Sequence, residues 1–106
     1  MKLQYQSYWQ DPDSGPSSNG DAHIRWINDF YRDVYAAYGG IPDPARDSAH
    51  NVDGCYVNYP DVALNEYGLA QALALYYGGN LPRLKQAKAE WDPLDYFQNR
   101  QSIPVG

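Results

Sequence analysis

The sequence is poor in the residues that build disulfides and metal centres. Its 106 residues include one cysteine, Cys55, and two histidines, His23 and His50. A single cysteine excludes a disulfide within the chain and any zinc site that needs several cysteines. Neither histidine has a second His, Asp or Glu at a spacing typical of a metal or catalytic motif. Both are therefore interpreted as surface or packing residues, and no metal site is predicted.

Long apolar runs and clusters of positive charge are also lacking. The most apolar run, "LAQALALYY" at 69–77, is far shorter than the ~20 residues that span a bilayer. The chain has 8 Lys and Arg against 13 Asp and Glu, and its formal net charge is −5. This balance argues against a nucleic-acid or anionic-membrane surface. We expect a cytoplasmic protein whose partners are small molecules or other proteins.

Aromatic residues are abundant. The chain has eleven Tyr, three Trp and two Phe, within an otherwise ordinary globular composition. Aromatic side chains concentrate in cores, interfaces and ligand pockets. A chain of this length can bury one core without metal or disulfides, so residues 1–106 are predicted to form a single domain.

Two segments have the alternation that predicts strands. In "KLQYQSYWQ", residues 2–10, one face would hold Leu3, Tyr5, Ser7 and Trp9, and the other Gln4, Gln6 and Tyr8. In "GCYVNYPD", residues 54–61, an extended backbone would direct Tyr56 and Asn58 to one face, and Cys55, Val57 and Tyr59 to the other. The polar face of this second segment could be solvated, contact a second copy of the chain, or line a pocket.

The first predicted helix starts at Asp21 and stops at the glycine pair 39–40. Ser18 and Asp21 are spaced as in a capping box. Its apolar stripe, predicted to face the core, consists of Trp26, Phe30, Val34 and Ala37, widened by Ile27, Tyr31 and Tyr38.

Two more helices and the fold class follow from the second half of the chain. One helix is predicted within residues 65–77, and another starts at Pro82 and ends before Asp92 and Pro93. The predicted fold is a small two-layer α+β domain with a few antiparallel strands and about three helices. Two strands alone make a poor sheet, so further strands must pair with them.

Four collinear segments resemble the C-terminal segment of berberine-bridge-enzyme-like FAD-linked oxidases. They are "LQYQSYW", "HIRWINDFYRDVYAAYGG", "GCYVNYPD" and "LYYGGNLPRLKQAKAEWDPLDYFQNRQSI". The most specific parts are Tyr-x-Asn-Tyr-x-Asp at 56–61, and Asn-x-x-Arg-Leu at 80–84 followed by Trp-Asp-Pro and Phe97. The resemblance spans nearly the whole chain and implies a berberine-like domain that completes the substrate domain of such an enzyme.

The resemblance also implies a cofactor, a partner and two site residues. In the family a larger N-terminal domain holds the FAD, and the first tyrosine of the motif is the base that takes a proton from the substrate hydroxyl in carbohydrate-oxidising members. These roles fall on Tyr56 as the catalytic residue and on Asn58 beside it, close to the flavin. The chain lacks a glycine-rich pyrophosphate loop and the family's flavin-attachment residues. The isolated chain is therefore expected to bind no FAD and to be inactive without a flavin-binding domain or subunit.

Two functional hypotheses remain open on the sequence. The first is the substrate-domain portion of an FAD-dependent oxidoreductase that oxidises an alcohol or sugar-type hydroxyl by hydride transfer to flavin. The second is a stand-alone, non-catalytic module that dimerises and binds a small ligand or a protein. A tyrosine with an unperturbed pKa of about 10 is a poor base unless a cation or hydrogen-bond donors stabilise its phenolate. Residues 54–61 contain no Lys or Arg, so such a partner is expected from elsewhere.

Overall fold

In the computed structural model the described residues are 2–10 and 20–106. The chain divides into two compact units, Met1–Ile41 and Pro42–Gly106. The assignment of residues 1–106 to a single berberine-like domain stays a prediction.

The first unit is built on helix α1, Gly20–Val34. A short 3₁₀ segment, Ala36–Tyr38, follows it, and Gly39 ends this segment at a φ of 85° with its N–H donating to the Ala36 carbonyl. This left-handed conformation favours glycine. The predicted helix is therefore confirmed at its start, but it ends at Val34, and only the separate 3₁₀ segment reaches the glycine pair. The predicted capping residue Ser18 lies outside the described residues.

The apolar stripe of α1 is not a core face, and that prediction is wrong. Trp26, Phe30 and Val34 are 59%, 42% and 41% exposed. The ring of Tyr5 contacts the helix edge-on, with its centroid 5.5 Å from that of Phe30 and 5.7 Å from that of Tyr31. One extended segment is too narrow to cover the whole apolar face. Helical periodicity identifies which face is apolar, but it does not supply the surface that covers it.

Residues 2–10 do not form the predicted strand. They pack on α1 through alternate side chains: Tyr5 contacts its aromatic residues, and the Trp9 ring stacks on His23 at 5.4 Å. Ser7 Oγ lies 3.5 Å from Nδ1 of the same histidine. The predicted alternation therefore persists, but no described residue forms a β-ladder with this segment. A strand needs a neighbour to accept and donate its backbone hydrogen bonds.

The second unit is held together by helix α2, Leu69–Tyr77, and helix α3, Leu81–Trp91. Short 3₁₀ segments at Pro44–Arg46, Val62–Tyr67 and Gly78–Asn80 connect and flank them. Buried apolar side chains of this unit are Leu64, Ala72, Leu73 and Leu75. Both helices were predicted, and α3 begins one residue before Pro82, which lies in its first turn.

The predicted α+β class is wrong, because no strand occurs among residues 2–10 and 20–106. The described chain is helical, with irregular segments between the helices. The second predicted strand, within 54–61, is instead a turn in which the Tyr59 N–H donates to the Tyr56 carbonyl at 3.0 Å. Asn58 favours a turn, and Pro60 has no N–H to offer a ladder. None of the helices in the described ranges is long and apolar enough to cross a membrane.

An ion cluster closes the C-terminal end of α3. Lys88 Nζ donates to a carboxylate oxygen of Asp92, contacts Asp95 Oδ1 at 2.9 Å and donates to the Phe97 carbonyl at 2.6 Å. The Asp92 carboxylate also accepts hydrogen bonds from the N–H groups of Tyr96 and Phe97, at 2.8 and 3.0 Å. The hydrogen bond from Lys88 lowers the pKa of Asp92, and the same bond raises the pKa of Lys88. The chain after the helix is thereby fixed to its last turn.

Candidate functional site

The loop that leads to the candidate site is held by one buried carboxylate, that of Asp47. Asp47 is only 5% exposed. It accepts hydrogen bonds from the N–H groups of Ala49 at 3.0 Å, Val52 at 2.7 Å and Asn51. Burial acts to raise the pKa of Asp47, but the backbone donors outweigh it and the pKa is lowered. The ionised side chain therefore fixes the backbone of residues 49–52.

Gly54 brings the loop into contact with α2. Its φ is +96°, and a Cβ at this position would lie 2.2 Å from the carbonyl oxygen of Leu75. The next residue, Cys55, donates its N–H to that oxygen at 2.8 Å. Only glycine combines this backbone conformation with so close an approach. The start of "CYVNYPD" is therefore fixed to α2 at the buried residue Leu75.

The turn itself brings three polar side chains together. Asn58 Nδ2 donates to the Tyr56 hydroxyl oxygen at 2.8 Å. The rings of Tyr56 and Tyr59 lie with their centroids 5.4 Å apart at 52°, and the two residues are 43% and 62% exposed. The prediction that Tyr56 and Asn58 share a side is confirmed. The prediction that Tyr59 points to the opposite face is wrong, because the turn reverses the alternation expected of a strand.

The far end of the turn is fixed by a network around Asp61. The Asp61 N–H donates to the Tyr76 hydroxyl at 2.7 Å, and Gln101 Nε2 donates to the Asp61 carbonyl at 2.7 Å. The Asn65 side chain belongs to the same network. Its Nδ2 donates to the Arg100 carbonyl at 2.9 Å, and its Oδ1 accepts from Gln101 Nε2 at 3.1 Å. Burial raises the pKa of Tyr76. Its hydroxyl therefore stays protonated and acts as a structural contact.

A cavity of about 410 Å³ lies behind the turn. Its walls combine apolar and aromatic side chains, among them Val57 and Tyr77, with polar residues of the C-terminal segment such as Arg100. Its lining does not include Tyr56 or Asn58. Val57 and Pro60 of the turn thus line the cavity, whereas Tyr56 and Asn58 meet away from its lining, on what we call the outer side of the turn.

The outer side offers two phenol hydroxyls, one side-chain amide and two aromatic rings. Such a set can contact a planar polar ring system and accept a proton. Within the described ranges no group of three or more His, Cys, Asp or Glu is arranged to hold a metal ion.

Comparison with known proteins identifies the relatives of this turn and of the chain around it. The sequence profile of the berberine and berberine-like family matches residues 55–104. The chain belongs to this family. The motif Tyr-x-Asn-Tyr-x-Asp lies at the start of the matched range.

Two curated relatives and one solved structure cover nearly the whole chain. Hexose oxidase of Chondrus crispus is 50% identical over 99% of this chain and 19% of its own length. Aclacinomycin-N/aclacinomycin-A oxidase of Streptomyces galilaeus is 37% identical over 97% and 18%. The structure of CrmK, a flavoenzyme of caerulomycin biosynthesis, superposes with a TM-score of 0.74 at 38% identity, over 92% of this chain and 19% of that one. The chain thus spans about a fifth of these relatives.

The sequence predicted Tyr56 and Asn58 as site residues, and this stays a prediction; it did not indicate the residues that fix the backbone around them. Gly54 and Asp47 gave no functional signal, because their roles depend on Leu75 and on backbone groups that only the fold brings near. The turn could have been recognised from Asn58 and Pro60, which are typical turn residues. The position of Tyr59 would have followed from that turn.

Proposed function

We propose that the chain is the substrate-domain portion of an FAD-dependent oxidase that converts an alcohol or sugar-type hydroxyl to a carbonyl. Tyr56 is the base in this proposal. The observation that carries it is the exposed turn of a berberine-like chain, in which the Tyr56 hydroxyl accepts a hydrogen bond from Asn58 and the preceding residue, Cys55, is bonded to the carbonyl of Leu75 in α2. The names of the two oxidases, one of which acts on hexoses, support this class of substrate.

Oxidation of an alcohol removes a proton from oxygen and a hydride from carbon. When bound, FAD supplies the hydride acceptor. The Tyr56 oxygen takes the proton of the substrate hydroxyl, which leaves electron density to form the carbonyl as the hydride departs. A positioned general base of this kind contributes about 10² to 10⁴ in rate. Since Tyr56 is partly exposed, it can release the proton to water between turnovers.

The described residues fit one part of FAD. The rings of Tyr56 and Tyr59 suit contact with a flat, polar ring system such as isoalloxazine. Pyrophosphate recognition needs convergent backbone N–H groups, typically from a glycine-rich turn, and the sequence has no such loop. A flavin-binding domain or subunit therefore supplies that part of the site. A cytoplasmic location and a homo-oligomer belong to the same proposal.

Replacement of Tyr56 with Phe in the holoenzyme tests this function. The variant keeps the ring but loses the group that takes the proton, so single-turnover flavin reduction should slow by about 10² to 10⁴. The flavin absorbance near 450 nm measures both the rate and the cofactor content.

Two matched variants accompany this experiment. Tyr8→Phe, at an exposed tyrosine outside the turn, should leave the rate unchanged. Tyr59→Phe removes the neighbouring hydroxyl. If it slows flavin reduction more than Tyr56→Phe does, the base has been assigned to the wrong tyrosine.

A further inference from the structure

A tyrosine base needs stabilisation of its anion, and the turn contains a donor for it. A hydrogen bond to the charged form of a group favours that form. Asn58 Nδ2 lies 2.8 Å from the Tyr56 hydroxyl oxygen, within ordinary hydrogen-bond distance. Residues 54–61 contain no Lys or Arg that could stabilise the Tyr56 anion, so a stabilising cation was expected from outside this segment. A neutral amide two residues away meets the same requirement.

We propose that Asn58 is a positioning residue that activates Tyr56 by donating a hydrogen bond to its phenolate oxygen. This rests on the proposed function, in which Tyr56 is the base. It differs from the role in flavin binding that the family resemblance implies for Asn58.

The direction of the hydrogen bond supports this role. The amide N–H donates to the phenol oxygen, so the oxygen accepts from Asn58 whether or not it carries its own proton. The remaining lone pair of the phenolate is directed away from the amide and can accept the substrate proton. The interaction strengthens as charge develops on the oxygen, because hydrogen bonds to ionised groups are the stronger ones.

The backbone holds the two side chains in this arrangement. The turn is closed by the hydrogen bond from the Tyr59 N–H to the Tyr56 carbonyl. The Cys55 N–H fixes its beginning to Leu75, and the Tyr76 hydroxyl fixes its end at Asp61. Donor and acceptor are therefore kept together by the same short, fixed segment, as a pre-organised site requires.

The test is Asn58→Asp in the holoenzyme, which keeps the size and shape of the side chain but replaces the N–H donor with an anionic acceptor. The pH dependence of single-turnover flavin reduction should shift to higher pH by about 1 to 2 units, and the rate at pH 7 should fall about 10- to 100-fold. The flavin content should stay at the wild-type level. Asn58→Gln, which retains an amide N–H on an exposed turn, should restore part of the rate and of the pH profile.

Asn80→Asp is the matched control, since Asn80 is exposed and its side chain makes no capping hydrogen bond to α3. It introduces the same charge and should leave the pH profile in place. An unshifted profile in Asn58→Asp would overturn the proposal. Loss of flavin without a shift would overturn it too, by assigning Asn58 to cofactor binding.

A direct readout separates this proposal from the proposed function. In holoenzyme labelled with ¹³C at the tyrosine Cζ, the Tyr56 resonance is assigned by its absence in Tyr56→Phe. It should ionise at higher pH in Asn58→Asp than in the wild type, and an unchanged titration would contradict the hydrogen-bonding role. If the titration shifts while Tyr56→Phe reduces flavin at the normal rate, the proposed base is wrong although the hydrogen bond exists.

Discussion

At the scale of single residues, the best-defined electrostatic contact lies in the cluster of Lys88 and Asp92. Both side chains are only 12% exposed. The contact raises the pKa of Lys88 and lowers the pKa of Asp92, so each side chain keeps the other charged. The sequence predicted that α3 ends at Asp92 and Pro93. It could not indicate that Lys88, spaced as any helix-surface lysine, would form an ion pair there.

Asp92→Asn should lower the free energy of unfolding at neutral pH and make the loss depend on pH. The pKa of Asp92 is lower in the folded state than its ordinary value of 3.8. Its stabilisation is therefore complete above the unfolded pKa and disappears as the pH falls through the folded one. Urea unfolding followed by circular dichroism should show a clear difference at pH 7 that shrinks as the pH falls below 3.8 and closes once the folded carboxylate is protonated.

The same substitution in an exposed ion pair provides the comparison. Asp29 contacts Arg32 at 3.3 Å, and their side chains are 70% and 45% exposed. Asp29→Asn should change stability little at either pH, because exposed pairs are screened by water. Equal losses in the two variants would mean that the Lys88 cluster has no special stabilising role.

At the scale of elements, helices were predicted well because their signals are local. These signals are an apolar run between two glycines, a proline in the first turn of a helix, and an Asp-Pro pair after its last turn. Each acts over only a few residues. Strands were predicted wrongly because a strand depends on a distant partner. Residues 2–10 have the alternation of a strand but pack on α1. The segment 54–61 contains turn residues that its aromatic content concealed.

Gly54→Ala should destabilise the contact between the site turn and α2. A non-glycine residue at this φ costs about 1 to 3 kcal/mol, and the new Cβ would also displace the Leu75 carbonyl. The expected loss in urea unfolding is at least this large. The site turn must move as well, so flavin reduction in the holoenzyme should slow even though position 54 touches neither Tyr56 nor Asn58 through a side chain.

Gly79→Ala is the control for backbone entropy. No atom lies within 4 Å of a Cβ at Gly79, and its φ is not positive. Alanine there should leave stability unchanged or raise it by about 0.4 to 1 kcal/mol. If Gly54→Ala behaved like Gly79→Ala, the close approach to Leu75 would not position the site.

At the scale of the whole molecule, the main feature is the amount of apolar surface left exposed. Besides the stripe on α1, the segment after α3 exposes Leu94, Tyr96 and Phe97, which are 75–90% accessible. Large contiguous apolar patches on a protein typically mark interaction surfaces. The chain spans about a fifth of the length of its relatives. We propose that the flavin-binding domain or subunit of the proposed function covers these surfaces.

The isolated chain should therefore self-associate. Sedimentation at ~100 μM is expected to give species larger than the 12.0 kDa monomer. Leu94→Lys should weaken the association and leave the far-ultraviolet circular dichroism unchanged, because the side chain contributes to no buried core. A clean monomer for the unmodified chain would show that these patches do not associate by themselves.

The three tryptophans have an optical consequence. Trp9, Trp26 and Trp91 are 41%, 59% and 82% exposed, so their indoles already meet water in the folded chain. Their emission should change little when the chain unfolds. It should shift to shorter wavelength when another protein surface covers them. Intrinsic fluorescence of this chain is thus a reporter of docking rather than of folding.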